Sequence, residues 1–216
     1  MKDTMLIFDL DGTLWDSGCE VAESWNIVLQ AHDPGLKTLT AEDMHAVMGK
    51  TMDEIAAIIL PDMDEVQRAP LFKECERFEI EYIAEHGGTL FPKVRETLER
   101  LKEEGFDLAI VSNCQTGYIN AFYQSMNMQK YFCDMEEWGR TGRPKSENIR
   151  LVMNRNGYEK AVYIGDTVKD QQAAMDAGIP FIHAAYGFGT AASEAAVINK
   201  FEDLPGCVAK VMGNQN

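Results

Sequence analysis

The sequence predicts an α/β protein, a Rossmann-like doubly wound parallel sheet with an all-helical insert. Three observations carry that prediction. From Pro92 onward, short apolar runs that end in polar residues alternate with helical stripes, as strands and crossover helices of a parallel sheet do. One more such run stands alone near the start, at Met5 to Leu10 (MLIFDL). Between the two, residues 17–91 carry helical periodicity and no strand signal.

The first run breaks abruptly into Asp11-Gly12-Thr13, so it reads as a buried strand delivering its last residues to a loop. In the insert, Val21, Trp25, Val28 and Leu29 fall at helical spacing, as do Met52, Ile55 and Ile59, and then Leu71, Cys75, Phe78 and Tyr82. Gly87-Gly88 and Pro92 mark the exit. The predicted division is a core of residues 1–16 and 92–216 and a helical cap of residues 17–91.

Beyond Pro92, Val94, Leu98 and Leu101 define a helix stopped by Gly105, and Leu108 to Val111 is a strand ending in Ser112-Asn113. A helix over 146–155 leads to the strand Ala161 to Ile164, which ends in Gly165-Asp166. The helix face Ala173, Ala174, Ala177 stops at Gly178 and feeds the strand Pro180 to Ala184.

Ligands of such sheets bind outside the carboxyl ends of the strands. Asp9 and Asp11, Ser112 and Asn113, Asp166 and Asp170 should therefore converge, joined by Lys145 from a loop. Singly, each is ordinary: paired aspartates often solvate turns, and Ser-Asn after a strand often caps a helix. Together at one end of a sheet, several carboxylates raise one another's pKa unless a cation neutralises them. Oxygen donors of this kind select Mg²⁺ over zinc or copper, and Mg²⁺ among carboxylates suits phosphoryl transfer.

Composition narrows the partners. The chain has 216 residues, 20 basic against 35 acidic, for a formal charge of −15, which argues against nucleic acid or an anionic membrane as a ligand. No apolar run reaches the roughly 18 residues of a membrane span, and the first residues lack a signal-peptide pattern. A cytoplasmic protein, monomeric or weakly dimeric and acting on a small phosphorylated metabolite, is expected. Five scattered cysteines without CxxC spacing suggest neither a disulfide framework nor zinc.

The set DLDGT (9–13), VSN (111–113), Lys145 and GDTVKD (165–170), in this order with a helical insert after the first motif, resembles the haloacid dehalogenase superfamily. More narrowly it resembles the branch of phosphoglycolate phosphatase and β-phosphoglucomutase. The resemblance implies that Asp9 attacks phosphorus to form an aspartyl phosphate and that Asp11 protonates the leaving oxygen and later activates water. It implies that Ser112, the Asn113 N–H and Lys145 hold the phosphoryl group. Mg²⁺ would be held by Asp9, the backbone of Asp11 and Asp166, with Asp170 in or beside its shell, and Thr13 would support the turn at the phosphate. Dehalogenases of the superfamily lack the second aspartate, and phosphonoacetaldehyde hydrolase has a small residue there, so Asp11 argues against both.

Lys50, in Gly49-Lys50-Thr51 between two predicted helices, is a candidate substrate contact from the cap, or else a solvated lysine. Trp15 either lines the pocket or packs at the junction. His32, His45, His86 and His183 show no ligand spacing, and Tyr186 to Gly189 forms a loop near the site. Two other functions compete: a phosphomutase or phosphotransferase of the same branch, which water access and cap contacts would decide, and a phospho-aspartate signalling or binding protein, for which a large helical lid has no use.

Overall fold

The computed structural model describes residues 3–192 and 196–213. Strand β1 (Thr4–Phe8) is followed by the short β2 (Trp15–Asp16), then helices α1 (Gly18–His32), α2 (Ala41–His45), α3 (Met52–Ile59) and α4 (Glu65–His86), and β3 (Thr89–Leu90). Alternation follows: α5 (Val94–Glu103), β4 (Leu108–Ser112), α6 (Tyr118–Met126), β5 (Asp134–Glu137), α7 (Trp138–Thr141), α8 (Lys145–Arg155) and β6 (Lys160–Gly165). The described chain ends through α9 (Val168–Ala177), β7 (Phe181–Ala184), β8 (Ala196–Ile198) and α10 (Leu204–Gly213).

A six-stranded sheet runs in the order β5-β4-β1-β6-β7-β8, parallel throughout. Alternate side chains of a strand point to opposite faces, and both faces are covered. Leu6, Phe8, Leu108 and Ile110 belong to one apolar cluster. Met5, Ile7, Ala109 and Val111 belong to a second, with Ile149 and Val152 of α8 and Ala174 of α9. Burial on both faces is why these strands read as continuous apolar runs. The order reverses at β1, between β4 and β6, and that switch point opens a crevice at the carboxyl ends.

Several expectations are refined. β1 stops at Phe8 rather than Leu10, since the chain leaves the sheet once the Asp9 N–H has bonded the Ile164 carbonyl at 2.8 Å. The 17–91 segment is not free of strand: β3 pairs antiparallel with β2, Trp15 opposite Leu90 and Asp16 opposite Thr89. This ribbon ties together the two chain passages at the root of the helical segment. Gly88 is required beside it, because a Cβ there would lie 2.9 Å from both the Trp15 ring and the Asp16 carbonyl oxygen. No helix among the described residues is long and apolar enough to cross a membrane.

Candidate active site

Four of the expected residues converge in one buried cluster. Asp9 follows β1, Asp166 follows β6, Asp170 lies in the first turn of α9 and Lys145 opens α8; all four are 6% exposed or less. Lys145 Nζ lies 2.6 Å from Asp170 Oδ1 and 3.0 Å from Asp9 Oδ1. Asp170 is fixed from its other side by a capping box, Oδ2 accepting the Thr167 N–H at 3.0 Å and the Thr167 hydroxyl at 2.6 Å. A helix cap therefore also orients the lysine.

Asp166 is held by the Tyr186 to Gly189 loop. Its Oδ2 accepts the Phe188 and Gly189 N–H groups at 2.8 and 3.2 Å. The approach is close enough that a Cβ on Gly187 would lie 2.2 Å from the Gly12 carbonyl oxygen and 2.4 Å from the Asp166 Cβ. Asp166 Oδ1 has no hydrogen-bond partner among the described residues, and Asp9 Oδ1, although an ion-pair distance from Lys145, lacks hydrogen-bond alignment.

The cluster carries too much negative charge for its burial. Burial, then the Asp170 carboxylate, pushes Asp9 well above the usual carboxylate range, and Lys145 only partly opposes this. Burial and Asp170 likewise lift Asp166 to about 7, against the two loop N–H groups. Burial would lower the Lys145 ammonium, but Asp170 and Asp9 outweigh it and hold the group well above its ordinary value. Asp9, Asp166 and Asp170 each offer a carboxylate oxygen within 4.8 Å of the others. Buried, all-oxygen and partly orphaned donors at this spacing fit Mg²⁺.

The other candidates form a second group. Asp11, Ser112, Asn113 and Lys50 line a cavity of about 50 Å³ between the carboxyl end of the sheet and helices α1 to α4. Asp11, half-buried, turns its side chain away from the carboxylate cluster. Its Oδ1 accepts the Trp15 indole N–H and the Ser17 hydroxyl at 2.9 Å each and the Tyr118 hydroxyl at 3.0 Å. Burial raises its pKa while those three donors pull it back. Of the two roles considered for Trp15 the packing one holds: it is fully buried, outside the cavity lining, edge-on to Phe122 at 4.8 Å, and its indole N–H bonds Asp11. Asn113 reaches across the cavity, Nδ2 donating to the Gly49 carbonyl at 3.1 Å. Thr13 is in neither group; it is fully buried and its carbonyl accepts the Tyr186 hydroxyl at 2.8 Å.

Sequence reasoning missed Ser17 and Tyr118, which hold Asp11, and Glu79 and Gln115, which line the cavity. Tyr118 had a signal: with Ile119, Phe122 and Tyr123 it makes a helical stripe. The histidines contribute only at the periphery. His45 bonds Asp16 at 2.8 Å and stacks on Phe188 at 4.1 Å, and His183 bonds the Asp166 carbonyl at 3.0 Å.

The haloacid dehalogenase-like hydrolase family model matches residues 6–184. The phosphoglycolate phosphatase of Rhodobacter capsulatus is 32% identical over 94% of this chain and 95% of its own length. A haloacid dehalogenase-like hydrolase from Streptococcus pneumoniae superposes with a TM-score of 0.80 at 20% identity, covering 95% of this chain and 99% of that one. CbbY from Rhodobacter sphaeroides, solved in complex with xylulose-(1,5)bisphosphate, superposes at 0.75 with 17% identity over 93% and 95% of the two chains. The two structural likenesses speak to the fold; the family match and the relative's identity speak to kinship. The chain belongs to the haloacid dehalogenase-like hydrolases and is a phosphatase of that family.

Proposed function

We propose that the protein is a Mg²⁺-dependent phosphatase that hydrolyses a small phosphate monoester through a phosphoryl group carried on Asp9. The observation that carries this reading is Asp9 itself: a buried carboxylate at the switch point, with an oxygen lacking any hydrogen bond and Lys145 Nζ 3.0 Å away. Asp9, Asp166 and Asp170 would hold the ion, which when bound neutralises the carboxylates and the phosphoryl oxygens.

The rest is done by the chain's own groups. An Asp9 oxygen forms a bond to phosphorus while the bond from phosphorus to the leaving alcohol oxygen breaks. Asp11, facing the cavity where that alcohol would lie, gives its proton to the departing oxygen. Burial raises its pKa, the direction a general acid needs. Asp11 then takes a proton from water as the water oxygen attacks phosphorus, releasing inorganic phosphate and the Asp9 carboxylate. The Ser112 hydroxyl and Asn113 N–H donate to phosphoryl oxygens, and Lys145 offsets their charge.

Residues 17–91 act as the lid in this reading. The reading is supported by contacts that close the cavity from above: Asn113 to Gly49, Lys169 to Glu54 at 2.8 Å and His45 on Phe188. Lys50 would meet the end of the substrate remote from phosphorus. Phosphoglycolate is the first substrate to try, because the R. capsulatus relative carries that name.

The test is phosphate release from a panel of small esters with Mg²⁺ and with EDTA, for the native chain and Asp9→Asn. Metal-dependent release that Asp9→Asn lowers at least about 1,000-fold is expected. Phosphate that moves between hydroxyls of a sugar without release identifies a mutase instead.

A further inference from the structure

His45 ends α2 and meets two parts of the molecule outside the helical segment that carries it. Its Nε2 lies 2.8 Å from Asp16 Oδ1 in β2, at the root of that segment. Its ring stacks on Phe188, the centroids 4.1 Å apart and the planes within 15° of parallel. Asp16 Oδ1 also accepts the Gly18 N–H at 2.9 Å, which fixes the carboxylate that faces the imidazole. Gly18 leaves the ring its room, since a Cβ there would lie 2.5 Å from Nε2. The imidazole is therefore held in place although 28% of its side chain is exposed.

Phe188 gives its ring to His45 and its backbone N–H to Asp166. That N–H donates to Asp166 Oδ2 at 2.8 Å, beside the Gly189 N–H at 3.2 Å, and the pair leaves Oδ1 without a hydrogen bond. Phe188 stands between Gly187 and Gly189, the residue type whose backbone is freest to move. The packing tolerates little movement, because a Cβ on Gly189 would lie 2.9 Å from the Asp166 carbonyl oxygen. What anchors so permissive a stretch is the Phe188 ring, which lies on His45 and 6.3 Å from the Phe91 ring. The other two contacts between the helical segment and the sheet end, Asn113 to Gly49 and Lys169 to Glu54, do not include this loop.

We propose that His45 is a positioning residue for Asp166: stacked on Phe188, it keeps the two loop N–H groups on Oδ2 and so keeps Oδ1 free for an ion. The helical segment then acts on the proposed metal site as well as on the cavity, and Mg²⁺ is held most tightly while α2 lies on the loop. This rests on the reading above that Asp166 holds Mg²⁺. The effect is reciprocal, so an ion on Asp166 holds α2 down by the same factor. Its size is bounded by what one ring stack supplies, about twofold to tenfold in affinity.

The test compares the native chain with His45→Ala and with His45→Phe, which keeps a ring on Phe188 and gives up the Asp16 contact. Two quantities are read without substrate: hydrogen exchange of the Phe188 and Gly189 amides by NMR in EDTA, and Mg²⁺ affinity by calorimetry. His45→Ala should speed both amides, and weaken Mg²⁺, by about threefold to tenfold; His45→Phe should return both readouts to within about twofold of native. Mg²⁺ should slow amide exchange at Met44 to Met48 in the native chain and do so less in His45→Ala. Glu54→Gln, which breaks the exposed pair with Lys169 and leaves the stack alone, should change either readout less than about twofold. Native exchange and Mg²⁺ affinity in His45→Ala, or equal weakening by His45→Phe or by Glu54→Gln, overturns the positioning role. Loop amides that respond to His45 in a chain that neither binds Mg²⁺ nor releases phosphate leave the hold on Asp166 standing and sink the phosphatase reading. Mg²⁺-dependent release with loop amides indifferent to His45 does the reverse.

Discussion

Asp9 and Asp11 stand two residues apart and have been given different surroundings, and that difference separates their chemistry. Asp9 faces Lys145 and two other carboxylates, where a bound cation would free it for the nucleophilic role proposed above. Asp11 accepts from three neutral donors, Trp15, Ser17 and Tyr118, and pairs with no cation among the described residues. Each donor favours the ionised carboxylate and so works against the acid role proposed for Asp11, limiting how far its pKa rises. Removing one should raise it further. Tyr118→Phe takes away a bond to a charged group, and the alkaline limb of the kcat/KM profile, where Asp11 loses its proton, should move up by about one pH unit. A limb that moves down would show that Tyr118 does not stabilise the Asp11 charge.

The Tyr186 to Gly189 loop connects backbone conformation to the proposed metal site. Two of its N–H groups hold Asp166 Oδ2, which leaves Oδ1 free for a ligand. Gly187→Ala places a Cβ against the Gly12 carbonyl and Asp166, so the loop must lift away. Stability should drop by about 1–3 kcal/mol and the Mg²⁺ concentration needed for half-maximal rate should rise by about 10–100-fold. Unchanged Mg²⁺ dependence would mean that the loop does not set the position of Asp166. The sequence placed this loop near the site but gave it no task, because backbone donors leave no mark in residue type. Central elements were legible for the opposite reason: β1, β4 and β6 are buried on both faces and end in Asp9, Ser112 and Asp166. Strand β5 was not, since an edge strand reading Asp-Met-Glu-Glu has no apolar run. It is kept in place by Arg155 and Arg140, which lie 2.7 Å from the buried Glu136 carboxylate. β8 is too short to show a pattern, and the β2–β3 ribbon has two residues per strand. Glu79 and Gln115 escaped because they meet only when α4 packs beside α6 and the loop that precedes it, a contact between positions far apart in the chain.

For the molecule as a whole, the buried carboxyls make stability depend on pH and metal together. Asp166 titrates at about 7 rather than its ordinary 3.8, and Glu79 at about 8 rather than 4.5. The folded chain thus holds protons that the unfolded chain has released, so stability is greatest below the unfolded values and falls as pH rises toward the folded ones. The loss is at most roughly 4–5 kcal/mol per group. Mg²⁺ bound as proposed would offset this at Asp166 but not at Glu79. Without metal, Tm should fall between about pH 5 and pH 8, and saturating Mg²⁺ should raise Tm more at the higher pH. Asp166→Asn should remove most of that Mg²⁺ increment; an increment equal at both pH values would contradict the assignment. The central claim concerns the phosphoryl group on Asp9, to which the sheet end and the lid both contribute. Its most direct measurement is mass spectrometry of peptides from enzyme quenched in acid during turnover with Mg²⁺. The account predicts one added phosphoryl group on the peptide that contains Asp9, absent with EDTA and absent in Asp9→Asn; turnover with that peptide unmodified, or a phosphoryl group that persists in Asp9→Asn, would contradict it.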